Sequence, residues 1–374
     1  MHVKEWRENN IEISVSNWGD YTEAIMPRVN LLLPWFEPVK LAEPAELPPD
    51  LTLAAAWSPN GEFLAAVHYT SPYITIYQRS GTTFTKLAAP ADLPTGTGRR
   101  CAWSPSGEFL AVAHETSPYI TIYQRSGTTF TKLADPADLP TWSGESVDWS
   151  PNGEFLAAVH SISPYITIYQ RSGTTFTKLA DPADLPTDNG ESVAWSPNGE
   201  FLAAVHITSP YITIYQRSGT TFTKLADPAD LPSGDGYGLA WSPSGEFLAV
   251  ACRYYPYMSI YQRSGTTFTK LADPADLPTW VGESVAWSPN GEFLAVTHLG
   301  APCITIYQRS GTTFTKLADP ADLPTGTGRT CAWSPSGEFL AVVASDPRIT
   351  IYQTKGTLPE KGVVSIKGLI REGD

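Results

Sequence analysis

Val147-Asp148-Trp149-Ser150-Pro151-Asn152-Gly153-Glu154-Phe155-Leu156-Ala157-Ala158-Val159-His160 decides the fold, because it recurs. The Trp-Ser-Pro at its centre stands seven times, with Trp57, Trp103, Trp149, Trp195, Trp241, Trp287 and Trp333 each 46 residues after the last. A fixed period of this length marks a repeat architecture. Within the copy, Val147–Pro151 reads as a short strand that stops at Asn152-Gly153, a tight-turn dipeptide. Phe155–His160 is a second strand, broken by Ser163-Pro164. Tyr165–Gln170, rich in β-branched and aromatic residues, is a third, and Ser172-Gly173 turns the chain into a fourth, Thr175–Leu179. Asp181-Pro182-Ala183-Asp184 reads as a capped turn, with Asp as cap and Pro at the first helical position.

Four strands in 46 residues make an antiparallel meander, and no long helical period is present. Trp, Val, Leu, Ile and Tyr alternate with few charges, so both faces of each sheet need cover. Radial stacking around an axis supplies it, which predicts an all-β fold: a seven-bladed β-propeller of four-stranded antiparallel blades. A sandwich of the same strands is the weaker alternative. The first three strands occur seven times, but the fourth follows them only six times. Its seventh copy lies at the other end: Lys40-Leu41-Ala42 stands 46 residues before Lys86-Leu87-Ala88. Trp35–Leu41 is therefore expected to be the outer strand of the blade built near residues 331–353, removing the open sheet edge. The expected divisions are an N-terminal docking arm over 1–34, the propeller over 35–353 and a tail over 354–374.

Ala56–Ala65 resembles the first hairpin of the WD40 family, and Ile74-Thr75-Ile76-Tyr77-Gln78 falls where that family has its Trp-Asp ending. Here Tyr-Gln replaces Trp-Asp, and no Gly-His pair precedes the first strand. The nearer likeness is to highly repetitive, recently amplified WD40-like propellers of bacteria and of tailed-phage and prophage proteins. That resemblance spans about residues 35–353 and implies a fold more than a function.

The net charge of −13 argues against a nucleic-acid surface, which needs a basic stripe. Cys101, Cys252, Cys303 and Cys331 show no Cys-x-x-Cys spacing and are expected to be free, buried fillers. Met1–Asn10 has no apolar segment after it, so no signal peptide is expected, and Leu31–Phe36 is too short to span a membrane. The histidines at one repeat position (His68, His114, His160, His206 and His298) lie on separate blades, too far apart to share a metal, and are expected to make structural hydrogen bonds. Asp135 and Asp138 supply too few oxygens for calcium. Asp148 stands where other copies have alanine, but one carboxylate makes no acid–base pair. No catalytic motif appears; no enzyme activity, metal or cofactor is expected.

The copies differ mainly in two loops, one before the first strand and one between the second and third. In a meander these emerge at the same end, which predicts one variable face and one constant face. The variable loops carry residue types favoured at interfaces: Trp142, Trp280, Tyr237, Arg253, Tyr254 and Tyr255, with Tyr69, Asp188 and Asn189 beside them. Arg99, Arg100 and Arg329 are expected to add local positive charge there. Drift in tolerant loops would also produce variation, although the equally exposed constant turns did not drift. The leading expectation is a non-enzymatic interaction protein: a structural or receptor-binding phage virion component that binds virion neighbours, a host-surface receptor or a glycan. Membrane insertion and nucleic acid are not expected; the arms would dock on the propeller or on neighbouring chains. An intracellular bacterial scaffold, hence cytoplasmic, is the alternative, and a multivalent lectin the third reading.

Overall fold

The computed structural model describes residues 38–354, together with the strands Trp6–Glu8 and Ile11–Ile13. Those two strands form an antiparallel pair of their own, with Trp6 opposite Ile13, in a unit separate from the propeller. The docking of the arm, the tail after 354 and the Trp35–Glu37 part of the closing strand lie outside the described residues.

Residues 38–354 form seven four-stranded antiparallel sheets, each a meander. Blade 3 is typical: Gly144–Trp149, Phe155–His160, Ile166–Ser172 and Thr175–Lys178, from the axis outward. Blades 1, 2, 4, 5 and 6 begin at Thr52, Gly98, Gly190, Gly236 and Gly282. Blade 7 combines Thr325–Trp333, Phe339–Asp346 and Thr350–Gln353 with Val39–Lys40 from the other end of the chain. Val39 stands opposite Gln353 and Lys40 opposite Tyr352, in the expected register. The second strands are buried on both faces, as sheets covered from both sides require.

The repeated residues are those that join one blade to the next. Trp103 stacks on Phe63 of the preceding blade at 6.0 Å and meets Phe130 edge-on at 5.7 Å. Its indole N–H donates to the Ala56 carbonyl across the same interface. Arg125 lies 5.0 Å over Phe63, while its Nε donates to the Gly107 carbonyl of its own blade. In blade 7 the arginine position is Thr354, whose hydroxyl takes over the bond to the turn, donating to the Gly337 carbonyl at 2.6 Å.

The constant turns have structural reasons throughout. Ser58 Oγ accepts the Phe63 N–H and donates to Asn60 Oδ1, while Gly61 sits at φ +69°, where only glycine is unstrained. This accounts for the constancy of Ser-Pro-Asn/Ser-Gly-Glu, so the constant face needs no functional explanation. Asp181-Pro182-Ala183-Asp184 differs from its expected helical cap. No helix forms; Asp181 instead pairs with Lys178 at 2.9 Å, and the Asp184 carbonyl accepts the Tyr215 hydroxyl.

The histidines behave as structural groups. His160 Nε2 lies 3.0 Å from Thr167 Oγ1, and Nδ1 lies 2.7 Å from the Ile162 carbonyl. A carbonyl only accepts, so Nδ1 holds the proton and the ring is neutral. Blade 5 replaces the pair by Cys252 and Ser259, with the thiol 3.8 Å from the hydroxyl. All four cysteines are free and buried. Among the described residues no cluster of metal-ligating side chains occurs, and no helix is long and apolar enough to cross a membrane.

Candidate functional site

In six of the seven blades the two variable loops are clamped together on one face. Thr141 Oγ1, from the loop entering blade 3, donates to the Ile162 carbonyl in the loop between its second and third strands, at 3.0 Å. Thr95, Thr187, Thr279 and Thr325 make equivalent bonds, and Ser233 donates to the Tyr254 carbonyl in blade 5. A repeated hydroxyl thus fixes loops whose other residues change. The result is a rigid frame for variable side chains.

The structure divides the sequence-derived candidates into a rim and an axial mouth. On the rim, Trp142 stacks at 6.1 Å on Tyr119 of the preceding blade and remains 52% exposed. Arg253 lies 5.7 Å over Tyr254 and pairs with Asp235 at 3.0 Å, and the Tyr254 ring covers Gly234 so closely that no side chain fits there. Tyr255 meets Tyr257 edge-on and is 70% exposed. Trp280 lies beside Gly300, and Tyr69 stands exposed on blade 1. Asp188 and Asn189 differ: they are half-buried, and Asp188 Oδ1 accepts the Asn189 N–H at 2.8 Å, closing a local turn.

At the axis, the register of the first strand shifts by one residue in every blade, for example between Gly144 and Ser146. The residue at the shift is Leu53, Arg99, Glu145, Glu191, Tyr237, Glu283 or Arg329. Together these seven encircle the mouth of the central channel. Arg100 crosses it from blade 2 and donates from Nη2 to the Tyr237 carbonyl of blade 5 at 3.0 Å. Arg99 bridges Glu115 at 2.6 Å and Glu145 at 3.4 Å, and Arg329 pairs with Glu283 at 3.7 Å. The three arginines therefore do not present the free positive charge expected from the sequence. Arg99 and Arg329 are ion-paired, and Arg100 lies in the field of Glu283, Glu191 and Glu145.

Burial pulls the Arg100 guanidinium down from its usual range, and Glu283, Glu191 and Glu145 oppose that shift. Among the described residues Glu191 has no cation within salt-bridge distance, although the Arg100 charge acts on it; burial, then the charge of Glu145, pushes its carboxyl up to about 7. Glu145, Glu191 and Glu283 are the site residues that sequence reasoning missed. The signal was their shared place in the repeat, one residue from Arg100. Arg100→Ala is expected to cost roughly 2–4 kcal/mol in a urea melt, because three clustered carboxylates lose their shared cation. An unchanged midpoint would mean the mouth is solvated well enough to need no counter-charge.

The sequence model of the family described as Lactonase, 7-bladed beta-propeller, matches residues 54–233, the first four blades. No curated protein matches the sequence. The solved structure of Kuenenia stuttgartiensis hydrazine synthase is similar, with a TM-score of 0.66 at 15% identity, covering 84% of this chain and 98% of that one. At that identity the likeness concerns fold alone. Strand order, blade closure and both comparisons agree that this chain is a seven-bladed β-propeller.

Proposed function

We propose that this propeller is an interaction module that recognises a macromolecular partner through its variable face. One observation carries the reading. Among the described residues, seven large hydrophobic side chains are exposed, and six of them (Tyr69, Trp142, Ile162, Tyr254, Tyr255 and Trp280) stand on the variable loops of that face. Exposed aromatics gathered on one face of a rigid scaffold are the usual anchors of binding energy. The resemblance to amplified phage propellers makes a virion neighbour or a host-surface receptor the expected partner, and the virion the expected location. Mass spectrometry of purified virions tests that assignment; absence of the chain there favours the intracellular scaffold.

The combined substitution Trp142→Ala, Tyr254→Ala and Trp280→Ala is expected to weaken attachment to the virion or host surface at least a hundredfold, at about 1 kcal/mol or more per anchor. The melting temperature should move little, since these side chains project from the core. Full attachment by the triple variant would refute the reading.

A second reading, lactone hydrolysis, is favoured by the family match over the first four blades and by Glu191 beside Arg100. Hydrolysis of a lactone by the wild type but not by Glu191→Gln would support it.

A further inference from the structure

Neither reading uses the wall of the central channel below its variable mouth. The channel offers about 430 Å³ between the first strands, from Arg100 at the variable mouth to Pro197 at the other end. One residue before each tryptophan the inner wall carries Ala56, Ala102, Ala194, Ala240, Ala286 and Ala332; only blade 3 differs, with Asp148. Asp148 Oδ2 accepts the backbone N–H of Trp195 at 2.8 Å. That bond does not explain the carboxylate, because the other six blades close with alanine at this place. An amide oxygen would accept it equally well.

The neighbouring indole shows that the exchange is no structural gain. The other six repeat tryptophans each donate Nε1–H to an alanine carbonyl of the preceding blade, at 3.1–3.2 Å. Trp195, whose counterpart acceptor is the Asp148 carbonyl, is 6% exposed, and its Nε1 has no partner. Blade 3 has thus exchanged an indole hydrogen bond and a methyl group for a half-buried carboxylate on a channel wall, held by backbone N–H groups of Trp195 and Trp149. Those bonds leave its negative charge with no cationic side chain beside it among the described residues. Ser146 and Ser192 line the same channel and offer hydroxyls. Arg100 does not serve as the counter-ion, since its guanidinium lies among Glu145, Glu191 and Glu283 and donates to Tyr237.

We propose that the channel is a binding site for a small organic ammonium ion, with its cation on Asp148 and its alkyl part against Ala102, Ala194 and Ala240. Access is from the constant face, since Arg100 crosses the opposite mouth. One carboxylate with neutral hydroxyls suits a monocation, whereas a divalent metal takes six or more oxygens.

The test is a titration of the full chain with butylammonium, followed by calorimetry and tryptophan fluorescence. It is run at pH 8, because burial pushes the Asp148 carboxyl up to about 7. The expected result is saturable one-to-one binding by the wild type, with 1-butanol inert at the same concentration. Asp148→Asn, which keeps an acceptor for Trp195, should bind at least tenfold more weakly, and Asp148→Ala should bind as weakly while melting no lower than wild type. Equal affinity in Asp148→Asn overturns the proposal. So does the absence of saturable binding for every chain length from methyl- to hexylammonium. A lower melting temperature for Asp148→Ala without any ammonium binding would also overturn it, and would leave the carboxylate as a cap for the Trp195 N–H.

Discussion

Acidification from pH 7 to pH 4.5 is expected to remove on the order of 7 kcal/mol from the unfolding free energy, through the three histidines held near 4 alone. His68, His114, His160, His206 and His298 are fully buried, and burial lowers the affinity of each for a proton. For His114, His160 and His298 the value falls to about 4. The unfolded chain takes up those protons near pH 6.5, whereas the folded protein resists them until about pH 4. Between the two values the unfolded state binds more protons, so the stabilisation present above pH 6.5 is lost as pH falls. Each histidine contributes a slope of about 1.4 kcal/mol per pH unit. Glu191 and Asp148 act oppositely. Both carboxyls are raised to about 7, so their favourable contribution is present at low pH and lost as pH rises through 7, which offsets part of the histidine slope.

Urea midpoints measured at pH 7.5, 6, 5 and 4.5 check this, and a flat series would contradict it. Blade 5 supplies an internal control, since it folds with Cys252 and Ser259 in place of His and Thr. His298→Cys with Thr305→Ser should remove one histidine's share of the slope and leave the rest.

Leu41→Pro is expected to open the ring at the seam between blades 7 and 1, lowering stability by about 2–4 kcal/mol and producing oligomers. In the first six blades the fourth strand is tethered to the third by a hairpin. In blade 7 it arrives from the far end of the chain and contributes only Val39 and Lys40 to the ladder. The Leu41 N–H then donates to the Ile351 carbonyl at 2.8 Å, while Leu41 and Leu47 pack against the core shared by Trp57, Phe84 and Phe339. Arg348 donates to the Pro48 carbonyl at 2.7 Å, and the Tyr77 hydroxyl donates to the Glu46 carbonyl. Proline at 41 removes the N–H and leaves a buried carbonyl unpaired. It also frees the edge of Thr350–Gln353 to pair with another chain. Leu133→Pro breaks the same bond in blade 2, to the Ile122 carbonyl, but there the strand stays tethered. Light scattering should show oligomers for Leu41→Pro and a monomer for Leu133→Pro. A monomeric Leu41→Pro protein would mean the closing strand is held mainly by its side chains.

The outline of the blades was legible because the forces that shape them are short-ranged. Ser58, Asn60 and Gly61 make their turn within six residues, and Phe63–His68 pairs with its immediate neighbours in sequence. The closing strand was legible for the same reason, since Lys40-Leu41-Ala42 repeats Lys86-Leu87-Ala88. The exposed rim was legible in part. Trp142, Trp280, Tyr254 and Tyr255 are exposed, whereas Asp188 and Asn189 are half-buried, with the Asn189 N–H donating to Asp188 Oδ1.

The axis was not legible. The local pattern of Gly98-Arg99-Arg100 says nothing of Tyr237, which lies 137 residues on and receives the Arg100 bond. A one-residue register shift turns Glu145, Glu191 and Glu283 to the mouth, and strand alternation alone does not reveal such a shift. The sequence by itself therefore determined the seven blades and the strand that closes the ring, because each depends on contacts repeated within one or two copies. Only the tertiary structure decided that Arg99 and Arg329 are paired with carboxylates and that Arg100 lies among Glu145, Glu191 and Glu283. Ring closure brings residues from all the blades to one axis, and there the differences between copies, rather than their shared sequence, set the charge.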